Sequence, residues 1–166
     1  TKPDLICLSK ALTAGLLPMG VTSCTAPIFD AFLDEDVSKG FFHGHTYTAN
    51  PLACTAALAG LELLDSEEIQ AGIRRIADSH GLFLERIMGH HKVADARQCG
   101  VILALDLAVE VSRYGNFRDQ VMQFFMERGI FLRPLGNTVY LLPPYITTTE
   151  QLNRMYQSIE ALLVEI

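Results

Sequence analysis

The fold and the chemistry of this chain are both indicated by residues 5–15, which read Leu5-Ile6-Cys7-Leu8-Ser9-Lys10-Ala11-Leu12-Thr13-Ala14-Gly15. The apolar, partly β-branched run up to Leu8 predicts a short buried strand, and Lys10 follows at its end. Because burial penalises the ammonium form, a lysine beside a dry core is more nucleophilic and can form an imine with an aldehyde. A single lysine more often only marks the point where a strand leaves the core, so its neighbours decide between these interpretations.

The overall composition excludes several classes of partner. The chain has 166 residues, of which 49% are hydrophobic and 19% are charged, and its formal net charge is -6. This balance predicts a globular interior, and it argues against a surface for nucleic acid or for an anionic membrane, since both need clustered Lys and Arg. No apolar run approaches the length needed to span a membrane.

Cysteine usage indicates a reducing compartment. The residues Cys7, Cys24, Cys54 and Cys99 are far apart and mostly in apolar company, which is typical of reduced core thiols in a cytoplasmic protein. The chain also begins at Thr1 rather than at a methionine, and we expect it to be an excised piece of a longer protein.

The helix and strand patterns divide the chain at about residue 66. Before this point we predict strands at 5–8 and 21–25, a short helix at 27–33, and a helix at 51–64 that begins at Asn50-Pro51. After it the order is helix, strand, strand, helix, strand, strand, helix, at residues 67–88, 93–100, 101–109, 117–128, 130–135, 138–142 and 149–166. That order is typical of a small α+β domain whose helices cover a mixed or antiparallel sheet.

The predicted helix at residues 51–64 carries a face of small residues. Ala53, Ala57 and Gly60 recur at three-and-four spacing, so this face can approach another element or another subunit closely. An internal packing seam and a subunit contact are equally compatible with the pattern.

The segment before this helix has the features of an anion-binding loop. It reads Gly40-Phe41-Phe42-His43-Gly44-His45-Thr46-Tyr47-Thr48-Ala49-Asn50-Pro51. The N–H groups and the dipole at a helix start favour an anion, and a threonine hydroxyl can donate to a phosphate. Thr46, with Gly44 and His45 beside it, is suitably placed. The alternative for Thr46 is a turn hydroxyl that bonds its own backbone.

An arginine and a tyrosine near the C-terminus are candidates for substrate binding. Arg133 lies within the predicted apolar strand 130–135, where an unpaired guanidinium is costly, so it needs an anionic partner from the protein or from a ligand. A carboxylate fits the planar fork of that side chain. Tyr140 lies on the adjacent predicted strand, and its alternative role is that of a core aromatic with a satisfied hydroxyl.

The histidines offer a competing metal site. His43 and His45 alternate, and His90-His91 adds two more imidazoles. Neither pair has the helical HxxxH spacing, no cysteine lies near them, and no third ligand is fixed by the pattern. We therefore expect no metal site.

Several of these motifs together resemble one known family. Pro3-Asp4-Leu5 with Ser9-Lys10-Ala11-Leu12, then Phe42-His43-Gly44-His45-Thr46-Tyr47 and Asn50-Pro51-Leu52-Ala53-Cys54, are similar to the class III, fold-type I, pyridoxal-phosphate-dependent aminotransferases. The segment Arg133-Pro134-Leu135-Gly136-Asn137-Thr138-Val139-Tyr140-Leu141-Leu142-Pro143-Pro144-Tyr145-Ile146 extends the similarity. The resemblance runs along the whole chain but covers only the C-terminal part of the family's length. It implies an α/β fold, with residues 1–66 as the C-terminal end of the large cofactor domain and residues 67–166 as the small C-terminal α+β domain.

The resemblance also implies a cofactor site. Lys10 would hold pyridoxal 5'-phosphate covalently and act as the catalytic base. Thr46 would contact the cofactor phosphate, with backbone from Gly44 and His45. The position of His45 is often proline in relatives, so the resemblance gives its side chain no role. In this family the loop that carries Thr46 reaches into the neighbouring subunit's site, and a homodimer is therefore expected.

The same resemblance implies a substrate site that the chain holds only in part. Arg133 would bind a substrate carboxylate, and Tyr140 would line the same pocket. The family's phosphate-binding glycine-serine turn, ring-stacking aromatic and pyridinium-pairing aspartate lie upstream of Thr1, so we expect the chain alone to be inactive or nearly so. Two alternatives remain: a different ω-amino substrate, such as ornithine, acetylornithine or 4-aminobutyrate, or an inert folding or dimerisation module.

Overall fold

The computed structural model of this chain describes residues 2–112 and 115–166. It divides into two compact units, Thr1–Ser66 and Glu67–Ile166, which we name unit 1 and unit 2. Among the described residues, no helix is both long enough and apolar enough to cross a lipid bilayer.

Unit 1 consists of a two-stranded antiparallel sheet and short helical segments. Strand β1 (Leu5–Ser9) pairs with β2 (Gly20–Cys24), from Leu5 opposite Cys24 to Ser9 opposite Gly20. The strands are joined through a 3₁₀ turn at Lys10–Thr13, which we name the lysine turn. Helix α1 (Ala26–Asp30), a second 3₁₀ turn (Val37–Lys39) and helix α2 (Pro51–Leu64) follow.

The prediction that β1 is buried is wrong. All residues of β1 are exposed, because the described part of the chain supplies only β2 as a neighbouring strand. For the same reason Cys7 and Cys24 are exposed free thiols rather than core thiols; Cys99 is also exposed and Cys54 is half-buried. An apolar pattern shows that a strand is suited to burial, but the elements that cover it have to come from elsewhere in a structure.

Helix α2 begins where the Asn50-Pro51 signal predicts. The Asn50 side-chain oxygen accepts a hydrogen bond from the Leu52 N–H at 2.9 Å, which satisfies a free donor at the helix start. On the small-residue face, Ala53 and Ala57 are buried, and α2 packs against the lysine turn. At these positions the face is therefore an internal packing seam.

Unit 2 is a three-stranded antiparallel sheet with helices on one side. Strands β3 (Val93–Cys99), β4 (Ile102–Leu107) and β5 (Thr138–Leu141) lie in the order β3-β4-β5. The helices are α3 (Glu67–Ile87), α4 (Phe117–Glu127) and α5 (Thr149–Glu165). A capping box at Thr148 and Gln151 starts α5.

The core of unit 2 lies on one face of this sheet. Strand β4 alternates, since Leu103, Leu105 and Leu107 are buried while the residues between them are not. Against this face pack apolar side chains of the three helices, namely Ile76, Phe83, Ile87, Val121, Phe124, Phe125, Leu152, Tyr156, Ile159, Leu162 and Leu163. The opposite face carries half-buried or exposed side chains, Ile102, Ala104, Asp106, Thr138 and Tyr140, and we name it the open face.

A buried histidine connects three parts of unit 2. His80 on α3 is fully buried, its Nε2 lies 3.1 Å from the Val101 carbonyl oxygen, and its Nδ1 lies 2.7 Å from the Tyr156 hydroxyl. Because a carbonyl oxygen only accepts, Nε2 carries the proton and Nδ1 accepts from Tyr156. Burial lowers the pKa of His80 and raises the pKa of Tyr156 to about 12, so both groups are neutral at pH 7.

Residues 130–135 do not form the predicted strand. Only Leu135 pairs, in an isolated bridge with Thr138, around a turn where Gly136 has φ = 61°. Pro134 has no N–H to donate, which prevents the ladder from continuing. The segment nevertheless alternates, because Leu132 and Pro134 are buried while Arg133 is exposed. Arg133 therefore does not lie in an apolar strand, and the expected cost of burying it does not arise.

Candidate active site

Lys10 lies directly after β1, and its backbone conformation is unusual. It has φ = 56°, in the left-handed region that residues other than glycine seldom adopt, and Ala14 after the turn has φ = 50°. The Lys10 side chain is exposed, and within the described chain its amine has no hydrogen-bond or ion-pair partner. The amine is exposed in this chain because the strand in front of Lys10 is itself uncovered.

Two clefts adjoin each other in unit 1. One, of about 530 Å³, is lined by Lys10 and Ala11 together with residues 15–18. The other, of about 710 Å³, is lined by residues 17–20, His45, residues 47–50, Ala53 and Cys54. Both clefts border Leu17 and Pro18, but Gly44 and Thr46 line neither. The predicted cofactor residues are therefore not gathered around one cavity within this chain.

The loop before α2 is held by His45 and Thr48. The His45 N–H donates to the Thr48 hydroxyl at 3.0 Å, and the Thr48 N–H donates to the His45 carbonyl at 2.9 Å. The Tyr47 N–H donates to His45 Nδ1 at 3.1 Å, so the imidazole accepts as an Asn side chain does in an Asx turn. A proline at position 45 could make neither the N–H bond nor the imidazole bond. The His45 side chain thus has a structural role that the resemblance did not imply.

Thr46 is left free by this arrangement. The hydroxyl that bonds its own loop is that of Thr48, whereas the exposed Thr46 makes no hydrogen bond to any described residue. The Thr46 hydroxyl is therefore available as a donor to an external anion. The hydroxyl that bonds the backbone of this turn is that of Thr48.

Tyr140 lies on the open face of unit 2, and Arg133 lies in the segment before β5. Tyr140 is opposite Ala104 in the register of β4 and β5, with Val139 and Leu141 buried on the other side. Arg133 is exposed between the buried residues Leu132 and Pro134.

The guanidinium of Arg133 is unusual for its lack of partners. Each other arginine that the structure describes donates to a carboxylate or a carbonyl oxygen, namely Arg74, Arg75, Arg86, Arg97, Arg118, Arg128 and Arg154. Arg133 has no such partner among the described residues. A planar donor fork left free in this way is suited to a carboxylate from a ligand.

The acidic group on the open face is already occupied. Asp106 accepts from Arg97 at 2.7 and 3.2 Å and from the Thr138 hydroxyl at 2.7 Å. The hydrogen bonds from Arg97, and then from Thr138, lower the pKa of Asp106. Because the Asp106 carboxylate is already bonded in this way, it does not compete with a ligand for Arg133, and it does not bind the amine of a ligand. This network has no signature in the sequence, because its members come from three different strands.

The structure adds one residue that the sequence interpretation passed over. Thr13, at the end of the lysine turn, is fully buried and hydrogen-bonded, and the sequence analysis assigned it no role. In the part of the chain that the structure describes, no three His, Cys, Asp or Glu side chains are grouped so that they could hold a metal ion.

The fold of the chain is that of the class III aminotransferases. The chain belongs to the class-III aminotransferase family, whose sequence profile matches residues 1–163. Solved class III structures share its fold, which confirms the predicted α/β, fold-type I architecture.

The relatives name a particular reaction. The chain is 48% identical over 170 residues to adenosylmethionine-8-amino-7-oxononanoate aminotransferase of Synechococcus elongatus, and the match covers 99% of the chain and 39% of that relative. The crystal structure of the enzyme of that name from Methanocaldococcus jannaschii is 34% identical, with a TM-score of 0.83 over 96% of this chain and 39% of that one. An amine transaminase from an uncultivated Pseudomonas species, solved in a PLP-bound form, is 29% identical, with a TM-score of 0.82 over 98% and 38% of the two chains. The chain thus spans about two fifths of the length of the relatives that it matches.

Proposed function

We propose that the protein containing this chain is a pyridoxal-phosphate-dependent transaminase that converts 8-amino-7-oxononanoate to 7,8-diaminononanoate in biotin biosynthesis, with S-adenosylmethionine as the amino donor. The observation that carries the proposal is the 48% identity, over nearly the whole chain, to a relative whose name specifies that reaction. Class membership alone would leave the substrate open.

The residues of unit 1 supply the catalytic group of this proposal. Lys10 holds the cofactor and then moves the proton at the amine-bearing carbon of the substrate. When bound, pyridoxal phosphate supplies the aldehyde and the electron sink for amino transfer. Among the described residues Lys10 has no ion-pair partner, so no internal ion pair has to be broken before it bonds the cofactor.

The loop before α2 supplies an anion contact. The Thr46 hydroxyl and the backbone around Gly44 and His45 bind the cofactor phosphate, and the unbonded state of Thr46 supports this role. As the family resemblance implies, we assign Thr46 to the site of a second copy of the chain. The functional form is then a homodimer with its active site at the interface.

Unit 2 binds the substrate. Arg133 pairs with the carboxylate of the oxo-amino acid and Tyr140 lines the same pocket, which agrees with the absence of a protein partner for Arg133. In this proposal unit 1 is the end of the large cofactor domain and unit 2 is the small C-terminal domain. The free thiols support a cytoplasmic location.

Trapping the cofactor tests the class of reaction. The longest natural form of the protein is mixed with pyridoxal phosphate, followed by its visible absorbance, reduced with borohydride and digested for mass spectrometry. We expect an adduct at Lys10, its loss in Lys10→Ala, and its retention in the matched control Lys39→Arg. Absence of a Lys10 adduct refutes the assignment. Tight, Lys10-dependent binding by residues 1–166 alone would contradict the expectation that this portion is inactive.

A substrate panel tests the specific reaction. We expect 8-amino-7-oxononanoate to be preferred over ornithine, acetylornithine and 4-aminobutyrate, and preference for one of these ω-amines would overturn the assignment. Arg133→Gln should raise KM for the oxononanoate by about 10- to 100-fold, since it removes a charge-assisted pair. It should leave KM for an analogue without the carboxylate unchanged. Arg118→Gln, on the exposed side of α4, is the control.

A further inference from the structure

Burial in unit 1 is concentrated beneath the lysine turn. The buried side chains among its described residues are Thr13, which is 0% exposed, and Ala53 and Ala57 of α2. The strand that precedes Lys10 is exposed along its whole length. The one well-packed place in this unit is therefore the contact between the lysine turn and α2.

The Thr13 side chain closes the loop that follows the lysine turn. Its hydroxyl donates to the Leu17 carbonyl at 2.5 Å and accepts from the Leu17 N–H at 3.3 Å, while the Leu16 N–H donates to the Thr13 carbonyl at 3.0 Å. A buried hydroxyl needs such partners, because leaving it unpaired is costly. Thr13 thus fixes the C-terminal end of the turn to the loop.

Helix α2 fixes the same end from the other side. A Cβ added at Gly60 would lie 3.4 Å from the Leu12 carbonyl oxygen and 3.7 Å from both the N and the Cβ of Ala14. These are ordinary contact distances, so a Cβ at position 60 would already touch the backbone on both sides of Thr13, and side-chain atoms beyond Cβ would crowd it.

Lys10 needs this support because its backbone is strained. Positive φ values at Lys10 and at Ala14 are unfavourable for residues with a Cβ, and such conformations persist only where the surrounding structure imposes them. The N-terminal end of the turn is held by the pairing of Ser9 with Gly20, and the C-terminal end by Thr13. With both ends fixed, Lys10 has no room to relax into a right-handed or extended conformation.

We propose that Thr13 and Gly60 are positioning residues for Lys10: together they hold the lysine turn so that Lys10 stays left-handed and its amine keeps one direction. The inference rests on the proposed role of Lys10 as the residue that holds the cofactor. Neither Thr13 nor Gly60 touches substrate or cofactor in this assignment. Both act through the backbone of the turn.

Matched variants at Thr13 separate the hydroxyl from the shape of the side chain. Thr13→Val keeps the shape and removes the hydrogen bonds, whereas Thr13→Ser keeps the hydroxyl. The readout is the borohydride-trapped pyridoxal phosphate at Lys10 relative to that at the exposed Lys2 of the same molecules, in the longest natural form of the protein. We expect the ratio to fall by about 10- to 100-fold in Thr13→Val, as misplaced reacting groups do, and to be restored in Thr13→Ser.

A second variant keeps the test decisive if Thr13→Val does not fold. Gly60→Val adds bulk against Leu12 and Ala14 without costing helix propensity, and Leu58→Val at an exposed position of α2 is its control. Gly60→Val should lower the Lys10 ratio, while Leu58→Val should not. Circular dichroism establishes which variants are folded.

The possible outcomes separate this inference from the proposed function. If the wild-type protein gives no Lys10 adduct, the proposed function fails. If the wild type gives the adduct and folded Thr13→Val and Gly60→Val give the same ratio, the positioning role fails while the proposed function stands. An equal loss in Thr13→Val and Thr13→Ser also overturns it, since the hydroxyl is then not the cause.

Discussion

Gly72 on α3 provides a sharp test of how unit 2 is packed. A Cβ at this position would lie 2.3 Å from the Tyr145 carbonyl oxygen, whereas real Cβ contacts are essentially never shorter than 3.0 Å. The obstacle is backbone, so it cannot rotate away as a side chain can. The same carbonyl accepts from Arg75 at 3.2 Å, and Arg75 also donates to the Thr147 carbonyl at 2.8 Å. Gly72→Ala must therefore displace the loop that Arg75 holds.

The expected change in the free energy of unfolding for Gly72→Ala is the balance of opposing effects. Overpacking typically costs about 1–3 kcal/mol, and weakening the two Arg75 hydrogen bonds costs about 1 kcal/mol each. Replacing a glycine within a helix by alanine returns about 1 kcal/mol through helix propensity. We therefore expect Gly72→Ala to lower the free energy of unfolding by about 2–4 kcal/mol, even though alanine is the better helix former.

Urea unfolding of the two variants of α3 measures this effect directly. The matched control is Gly81→Ala, whose Cβ would lie at an ordinary 3.7 Å from the Gln98 side-chain oxygen. Without a clash, Gly81→Ala should be stabilising by about 0.5–1 kcal/mol, so the two substitutions should have opposite signs. If Gly72→Ala proves as stable as Gly81→Ala, the close packing of α3 against the loop at Tyr145 is refuted.

Three further predictions concern acid stability, helix capping and the core. Burial lowers the pKa of His80 in the folded state, so below about pH 6.5 the unfolded chain binds a proton that the folded chain does not. The free energy of unfolding should therefore fall with decreasing pH, by up to about 1.4 kcal/mol per pH unit. Urea midpoints that stay constant from pH 7 to 5.5 would contradict this. Asn50→Ala should cost about 1 kcal/mol and speed amide exchange at Leu52 about fivefold, with Asn50→Asp as the control that keeps the cap. Leu105→Ala should cost about 2–5 kcal/mol in thermal unfolding, whereas the exposed Leu142→Ala should change it by less than about 0.5 kcal/mol.

Local pattern was sufficient for most elements of the fold. The Asn50-Pro51 signal located the start of α2, and the apolar run predicted a strand at residues 101–109, where the structure has β4. Both are decided within a few neighbouring residues. The burial of β1 could not be obtained in this way, because it depends on what covers the strand rather than on the strand itself.

The sequence predicted which residues are candidates for the site but not how they are arranged. Lys10, Thr46 and Arg133 stand out by residue type and motif, but that Arg133 has no ion pair with any described residue is a result of tertiary placement. The left-handed φ of Lys10 has no sequence signature, since lysine gives no indication of positive φ as glycine does. For the buried hydroxyl of Thr13, the available signal was its position directly before Ala14-Gly15, because a threonine beside a turn can bond the local backbone.

The unequal burial of the two units has a consequence for how residues 1–166 resist proteolysis. Proteases cut backbone that opens locally, and opening is easiest where few apolar contacts must be broken. Among the described residues, unit 1 buries only Thr13, Ala53 and Ala57, whereas unit 2 closes a core of its own. Limited digestion of this polypeptide should therefore cut unit 1 first and leave Glu67–Ile166 as a resistant fragment.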